Sequence, residues 1–251
     1  MVKKVVIAAA GQGTRMLGLS ADRSKHLILV KNRPFLAYLL DHLVLAGYSD
    51  IILVVGFKKE LMDNFKKDYL ASSNNSEIKI EIVDQCDILG SKEKEYGTAC
   101  PVKCVRNIVG NEDFIYVFGD NLFSVADLKS MDNNDNFCYV AGIKQDHPEK
   151  YGVLIKDGGD FLEKIVEKPK ENLGNVINAG LYKFTPEILK KLSLIKKSER
   201  GEYEITDAIS LLSEEKKVKI KIIKDYWIDF GCPADIEKLS KFLNDNCKTT
   251  K

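Results

Sequence analysis

Short apolar runs separated by amphipathic stretches set the rhythm of the first 120 residues. Lys4–Ala9 and Ile51–Val55 have the length and composition of strands buried on both faces, and Ile78–Val83 and Phe114–Phe118 continue the series. Between the first two, Asn32-Arg33-Pro34 offers a cap and a pre-set φ. The spacing of Phe35, Leu36, Leu39, Leu40 and Leu43 then predicts a helix that Gly47 ends. Leu61, Met62, Phe65 and Tyr69 predict a second helix leading into a Ser/Asn-rich loop at Ser72–Ser76, and a third is expected near Val102–Val109. Strands alternating with helices imply a parallel sheet covered on both sides.

The pattern changes in the middle of the chain. Phe137–Ile143, Gly152–Lys156, Leu162–Glu167 and Val176–Phe184 read as extended, with Gly158-Gly159 marking a hairpin turn. Later helices are expected at Thr185-Pro186, at Thr206 and after Pro233. The expected architecture is α/β: a Rossmann-like, mixed but mainly parallel sheet flanked by helices, with a β-rich elaboration. At this length one continuous domain over 1–251 is expected, its halves at about 1–135 and 136–240, followed by a polar tail at 244–251.

Charge narrows the classes of partner. With 38 basic and 37 acidic side chains there is no electrostatic footprint for nucleic acid or an anionic membrane, so any anion site must be local. The lysines of Lys216–Lys224 alternate with apolar residues and read as a solvated strand face. The six cysteines (86, 100, 104, 138, 232 and 247) form no CxxC pair, which argues against a metal–thiolate site. No signal-peptide core opens the chain and no apolar run is long enough to span a bilayer. A cytoplasmic protein with reduced, buried thiols is expected, with Cys247 the most exposed.

Four segments carry candidate chemistry. Gly11-Gln12-Gly13-Thr14-Arg15 follows the first strand, where closely spaced glycines let backbone N–H groups approach an anion. Met16 stands where a dinucleotide fingerprint wants its third glycine, and no Gly-Lys-Ser/Thr of a Walker loop occurs. What remains is a phosphate loop with two cations, Arg15 and Lys25, on a long segment running to about Asn32. Asp120 follows a buried strand, in Gly119-Asp120-Asn121, at the end where α/β sheets gather ligands and where a carboxylate suits Mg²⁺. Asp229 sits beside Trp227, the one tryptophan, and could complete a metal site for phosphoryl transfer. Glu167-Lys168-Pro169 and Asn178-Ala179-Gly180 offer hydroxyl-binding groups and a point charge for phosphate. Taken singly, each has a plainer reading as a turn, a packing pair or a surface strand.

In order and spacing together, these segments resemble the sugar-phosphate nucleotidyltransferases, the nucleotide-sugar pyrophosphorylases, from about Val2 to Leu239. The anchors are Ala9 to Met16, Lys25, Gly97-Thr98-Ala99, Gly119-Asp120-Asn121, Tyr151-Gly152-Val153, Glu167-Lys168-Pro169, Asn178-Ala179-Gly180 and Trp227 to Gly231. The resemblance implies the nucleotide-diphospho-sugar transferase fold and the coupling of a nucleoside triphosphate to a sugar 1-phosphate with release of pyrophosphate. By the same likeness Ala10, Gly11, Gly13 and Thr14 would hold the nucleotide, with Arg15, helped by Lys25, on its triphosphate and Gly97 and Thr98 by its base and ribose. Arg15, Lys25 and Lys168 would be the catalytic cations, and Gly152, Glu167 and Asn178 would face the sugar. Asp120 and Asp229 would bind Mg²⁺. The nucleophile, a phosphate with a second pKa of about 6, is already anionic at neutral pH, so no general base is required.

The likeness is strongest to the glucose-1-phosphate thymidylyl- and uridylyltransferase branches, through Asn121 and Gly201-Glu202-Tyr203-Glu204-Ile205-Thr206-Asp207-Ala208. Gly97-Thr98-Ala99 instead matches mannose-1-phosphate guanylyl- and N-acetylglucosamine-1-phosphate uridylyltransferases. A non-catalytic regulatory subunit of the same fold is the alternative from another class, and an enzyme using phosphocholine is a third. The first is disfavoured by the retention of Arg15, Lys25, Asp120, Lys168 and Asp229, and the second by Glu167-Lys168-Pro169 and Asn178-Ala179-Gly180, which argue for a sugar. The chain departs from the family's usual prolines at Gly18 and Ser24, and Gln85–Tyr96 is longer than usual, with Lys92, Glu93, Lys94 and Glu95. The polar tail Asn244–Lys251 is not the family's β-helix extension, so no fused acyltransferase is expected. No nucleic-acid or membrane partner is expected, and a homo-oligomer is left open.

Overall fold

The computed structural model describes residues 2–11, 13–20, 23–56, 58–73, 77–91 and 94–247, and only the backbone of Thr14, Leu17, Asn246 and Cys247. Gln12, the loop 74–76, Lys92, Glu93 and the Cys247 side chain therefore lie outside the described residues. In chain order the strands are β1 (Lys4–Ala9), β2 (Leu29–Val30), β3 (Arg33–Pro34), β4 (Asp50–Val55), β5 (Lys79–Asp84), β6 (Phe114–Phe118) and β7 (Asn121–Phe123). There follow β8 (Cys138–Lys144), β9 (Gly152–Lys156), β10 (Leu162–Glu167), β11 (Val176–Phe184), β12 (Val218–Ile222) and β13 (Trp227–Asp229).

Nine of these strands form one mixed sheet among the described residues. β5, β4, β1 and β6 are its parallel half. β11 runs antiparallel to β6 and carries β8 and the β9–β10 hairpin, while β12 adds parallel to β8. Successive residues of β1 explain the apolar runs, because Val5 and Ile7 pack in one core cluster and Val6 in the other. The first cluster is closed by the helix Phe35–Leu45 through Leu36, Leu39, Leu40 and Leu43. The second is closed by Val102 and Val105 and by Ile205, Ala208, Ile209 and Leu212 of the helix Ile205–Ser213. Each large side chain so buried contributes about 1.5–3 kcal/mol.

Several local expectations need correction. Asn32 does not cap the first helix: it occupies the left-handed turn, with φ 62°, of a two-residue β2–β3 ribbon, and the helix starts at Phe35. The third helix is two pieces, Cys100–Cys104 and Arg106–Val109, interrupted at Val105. The long glycine loop contains 3₁₀ segments at Thr14–Ser20 and Lys25–Leu27. Gln85–Leu89 is a short helix capped by Asp84, whose side chain accepts the Cys86 N–H at 2.8 Å. That helix leaves Cys86 exposed, against the expectation of buried thiols, while Cys100, Cys104 and Cys138 are buried.

Candidate active site

The site forms where the chain leaves the C-terminal ends of β1 and β6, neighbouring strands in the middle of the sheet. Gly119 makes their close approach possible. Its N–H donates to the Ala8 carbonyl at 3.0 Å, and a Cβ there would stand 2.8 Å from that oxygen and 3.0 Å from the His26 ring. Asp120 is thereby presented at the mouth of the sheet. The ribbon of β7 and β13 sets Asp229 opposite Asn121, and Phe230 donates its N–H to the Asp120 carbonyl at 2.8 Å. A three-residue ladder thus joins two carboxylate segments more than 100 positions apart in the sequence.

The electrostatics of the pair are asymmetric. Asp120 accepts a hydrogen bond from the Lys25 ammonium. Burial pushes its pKa up, but the charge and hydrogen bond of Lys25 outweigh this and leave it below the usual carboxylate range. Asp229 is pushed up to about 6, first by burial and then by the Asp120 charge, against the pull of Arg15 and Lys25. Two oxygen-only ligands that repel one another suit a hard divalent cation completed by substrate phosphates. Among the described residues no cluster of three or more His, Cys, Asp or Glu is placed to hold a metal.

Two chambers meet at this seam. The first, a cavity of about 160 Å³, is lined by Ala10, Gly11, Lys25, Gly97, Thr98 and Asp120. The second, about 510 Å³, is lined by Arg15, Gly152, Glu167, Lys168, Asn178 and Asp229, and it shares Asp120, Tyr96, Phe118 and Glu202 with the first. Gly13 lies under Lys25 instead of lining either chamber. Its φ is +64° and a Cβ would fall 2.8 Å from the Lys25 Cβ. The Thr14 side chain lies outside the described residues.

Individual side chains are already engaged. Thr98 donates its hydroxyl to Glu204 Oε2 at 3.2 Å and accepts the Ile205 N–H at 2.9 Å. Asn178 donates to the Tyr182 hydroxyl at 2.8 Å and accepts from Gly180 N–H at 3.1 Å. Gly152 leaves room for Glu167, whose Oε1 would lie 2.9 Å from any Cβ at 152. Burial raises the Glu167 pKa, opposed by Arg200 and Lys168 and reinforced by Glu204 and Asp207. Lys168 holds φ 43°, a left-handed conformation uncommon for lysine, with its N–H on the Tyr151 carbonyl at 3.0 Å. A Cβ at Gly231 would stand 3.3 Å from both Arg15 Nη2 and Asp229 Oδ1, so glycine there lets these groups approach.

Sequence reasoning assigned no role to Gln85, His26, Arg200 or Glu202, all of which line the chambers. Gln85 is 6% exposed and its Oε1 has no hydrogen-bond partner among the described residues. A buried glutamine at the start of a helix breaks no periodicity, so only the tertiary structure marks it. His26 is buried beside Lys25, with Nδ1 2.7 Å from Ser24 Oγ. Burial and then the Lys25 charge, against Asp120, push it down to about 3, which makes it a poor proton acceptor.

Residues 4–246 match the nucleotidyl transferase family model, and the chain belongs to that family. It is 31% identical over 247 residues to the bifunctional sugar-1-phosphate nucleotidylyltransferase/acetyltransferase of Sulfurisphaera tokodaii, covering 97% of this chain and 56% of that protein. It is 30% identical over 249 residues to the UTP–glucose-1-phosphate uridylyltransferase AglF of Haloferax volcanii, covering 96% of this chain and 97% of that one. The chain spans about half the length of the bifunctional relatives it matches. A UDP-glucose pyrophosphorylase from Acinetobacter baumanii superimposes with a TM-score of 0.80 at 24% identity over the whole of both chains. A UDP-glucose pyrophosphorylase complexed with UDP-glucose gives 0.82 at 23%, covering 98% of this chain and all of that one. These likenesses establish the fold, a mixed, mainly parallel sheet flanked by helices. Among the described residues no helix is long and apolar enough to cross a membrane.

Proposed function

We propose that this chain is a Mg²⁺-dependent sugar-1-phosphate nucleotidyltransferase, forming a nucleoside diphosphate sugar and pyrophosphate. The observation that carries the reading is the meeting of Lys25, Asp120 and Asp229 at the seam between the two chambers. Asp120 and Asp229 would hold Mg²⁺, which when bound neutralises phosphate charge. The Gly11 segment and Lys25 receive the triphosphate, and the Gly97–Thr98 turn with the unfilled Gln85 acceptor faces the base. Lys168 brings the sugar phosphate to the α-phosphorus, joined by Arg15, which was expected on the triphosphate but lines the second chamber, while Glu167 and Asn178 orient the sugar. Holding two polyanions in line is the main catalytic task. The phosphate nucleophile needs no base, in keeping with a His26 that stays neutral.

For substrates we favour glucose 1-phosphate with UTP or dTTP; the Haloferax relative, a UTP–glucose-1-phosphate uridylyltransferase matched over 97% of its length, supports the sugar phosphate and UTP. The test is a panel of five nucleoside triphosphates against sugar 1-phosphates, with pyrophosphate release measured. A preference for GTP or ATP would overturn the nucleotide choice and leave the reaction class intact. No release with any pair would overturn the reaction class.

A further inference from the structure

Asp229 is carried by a ribbon too short to hold itself. β7 and β13 have three residues each and pair with one another outside the nine-stranded sheet, and an isolated pair of strands is marginal in water. The helix Phe35–Leu45 grips this ribbon at both ends. At one end the Phe35 ring stacks on the Phe230 ring, centroids 4.4 Å apart and planes 7° apart, and both residues are fully buried. Phe230 follows Asp229 and donates its N–H to the Asp120 carbonyl at 2.8 Å, so one stacked ring borders both carboxylate segments. At the other end His42 Nδ1 lies 2.7 Å from the Phe123 carbonyl, which can only accept, so Nδ1 carries the proton. Phe123 faces Trp227 in the ladder, and Tyr226, just before β13, meets the same imidazole edge-on at 6.2 Å. Phe35 and His42 are two turns apart on one helix face, about 10.5 Å. The run from Asp120 to Phe123 spans about 10 Å of extended chain, so the two grips match the ribbon's length. The helix start is also tied to the turn carrying Lys25: Phe35 donates its N–H to the Ile28 carbonyl at 3.0 Å, and Ile28 donates to the Lys25 carbonyl at 3.2 Å.

We propose that Phe35 and His42 are positioning residues of the transfer reaction, which fix Asp229 against Asp120 and Lys25 through the β7–β13 ribbon; this rests on the function proposed above. Neither side chain lines a chamber of the site, so neither touches substrate. Two like charges at the seam repel one another, and three ladder residues alone cannot hold them together. The stacked ring and the imidazole hydrogen bond supply the missing rigidity from a helix whose own apolar face is anchored in the core through Leu36, Leu39, Leu40 and Leu43. One helix thereby sets the spacing of the ammonium and both carboxylates.

The experiment compares wild type, His42→Leu, His42→Asn and Phe35→Leu by three readouts. These are steady-state pyrophosphate release, thermal unfolding, and uptake of Mn²⁺ by the substrate-free protein, followed through the paramagnetic resonance of the free ion. His42→Leu should weaken Mn²⁺ uptake and lower kcat, each roughly 10-fold, while the KM for UTP and for glucose 1-phosphate changes less than about threefold. His42→Asn, whose amide N–H falls near the place of Nδ1, should restore most of both losses. Phe35→Leu keeps the position apolar but removes the stacked face, and it should act as His42→Leu does. Residues that serve only the fold would lower the unfolding midpoint and leave kcat and Mn²⁺ uptake of the folded variants unchanged, which overturns the inference. An Asn variant no better than the Leu one overturns the role of the hydrogen bond. If His42→Leu does not fold, unchanged kcat and Mn²⁺ uptake in Phe35→Leu still overturn the inference. Wild type separates the two levels: no Mn²⁺ uptake, or no pyrophosphate with any substrate pair, refutes the proposed function, whereas full wild-type function with unaffected variants refutes this inference alone.

Discussion

Asp229→Asn removes a charge and almost no volume, and it should make the metal-free protein more stable while abolishing turnover. In the free protein this carboxyl is pushed from 3.8 up to about 6, by burial first and by the Asp120 charge next. At about 1.36 kcal/mol per pH unit the gap corresponds to about 3 kcal/mol, and solvent that still reaches Asp229 reduces this to about 1–3 kcal/mol. The folded protein binds this proton more tightly than the unfolded chain does. The group's contribution to stability is therefore fully present below about pH 3.8 and is lost as pH rises through about 6. Thermal unfolding in chelator at pH 8 should place Asp229→Asn above wild type by roughly 2–12 °C, at about 2–4 °C per kcal/mol for a chain of this size. At pH 4 the two curves should converge, and Mg²⁺ should raise the wild-type midpoint more than the variant's. A variant no more stable than wild type at pH 8 in chelator would refute the picture of a carboxylate held at a cost for a cation.

Three further outcomes follow from the same geometry. Lys168→Ala should raise the sugar-phosphate KM roughly 10- to 100-fold with little effect on triphosphate affinity, and an equal loss of both, read by calorimetry, would contradict its placement. Asp120→Asn should lose most turnover with the fold retained by circular dichroism, and chelator should do the same to wild type; full activity in chelator would rule out the metal-dependent mechanism. Gly97→Ala combines a φ of +129° with a Cβ 2.3 Å from a backbone oxygen, so it should destabilise by about 2–4 kcal/mol in denaturant titration. A neutral result there would mean the turn can move away from Tyr203.

The parallel half was legible because β1, β4 and β6 are buried on both faces, which forces near-continuous apolar runs onto the sequence. β7 and β13 were not legible: three residues carry no period, and their pairing is decided by partners far apart in the chain. Asn32 misled because its turn propensity serves both a helix cap and a left-handed hairpin position, and the ribbon with Leu29–Val30 decides between them. Ala10, Gly11, Lys25, Gly97, Thr98 and Asp120 were recognisable as ordered motifs and do line one chamber. Glu204 was not recognisable as part of the site, since a charged residue in a loop reads as a solvated surface until Thr98 is found bonded to it. The buried Lys183 is a similar case. Nothing in the apolar run Val176–Phe184 marks its role, yet it is fully enclosed, paired with Asp113 at 2.8 Å and bonded to the Asp135 and Phe137 carbonyls.

The central claim, that the two chambers exchange a nucleotidyl group across the Lys25–Asp120–Asp229 seam, is tested most directly by following both products of one reaction. Purified protein is incubated with UTP, glucose 1-phosphate and Mg²⁺, and nucleotide sugar is measured by mass spectrometry alongside pyrophosphate. The account expects the two in equal amounts, both lost in Asp120→Asn and in chelator, and UTP regenerated when UDP-glucose and pyrophosphate are supplied instead. Pyrophosphate or phosphate released without any nucleotide sugar, across every triphosphate and sugar 1-phosphate tried, would contradict it.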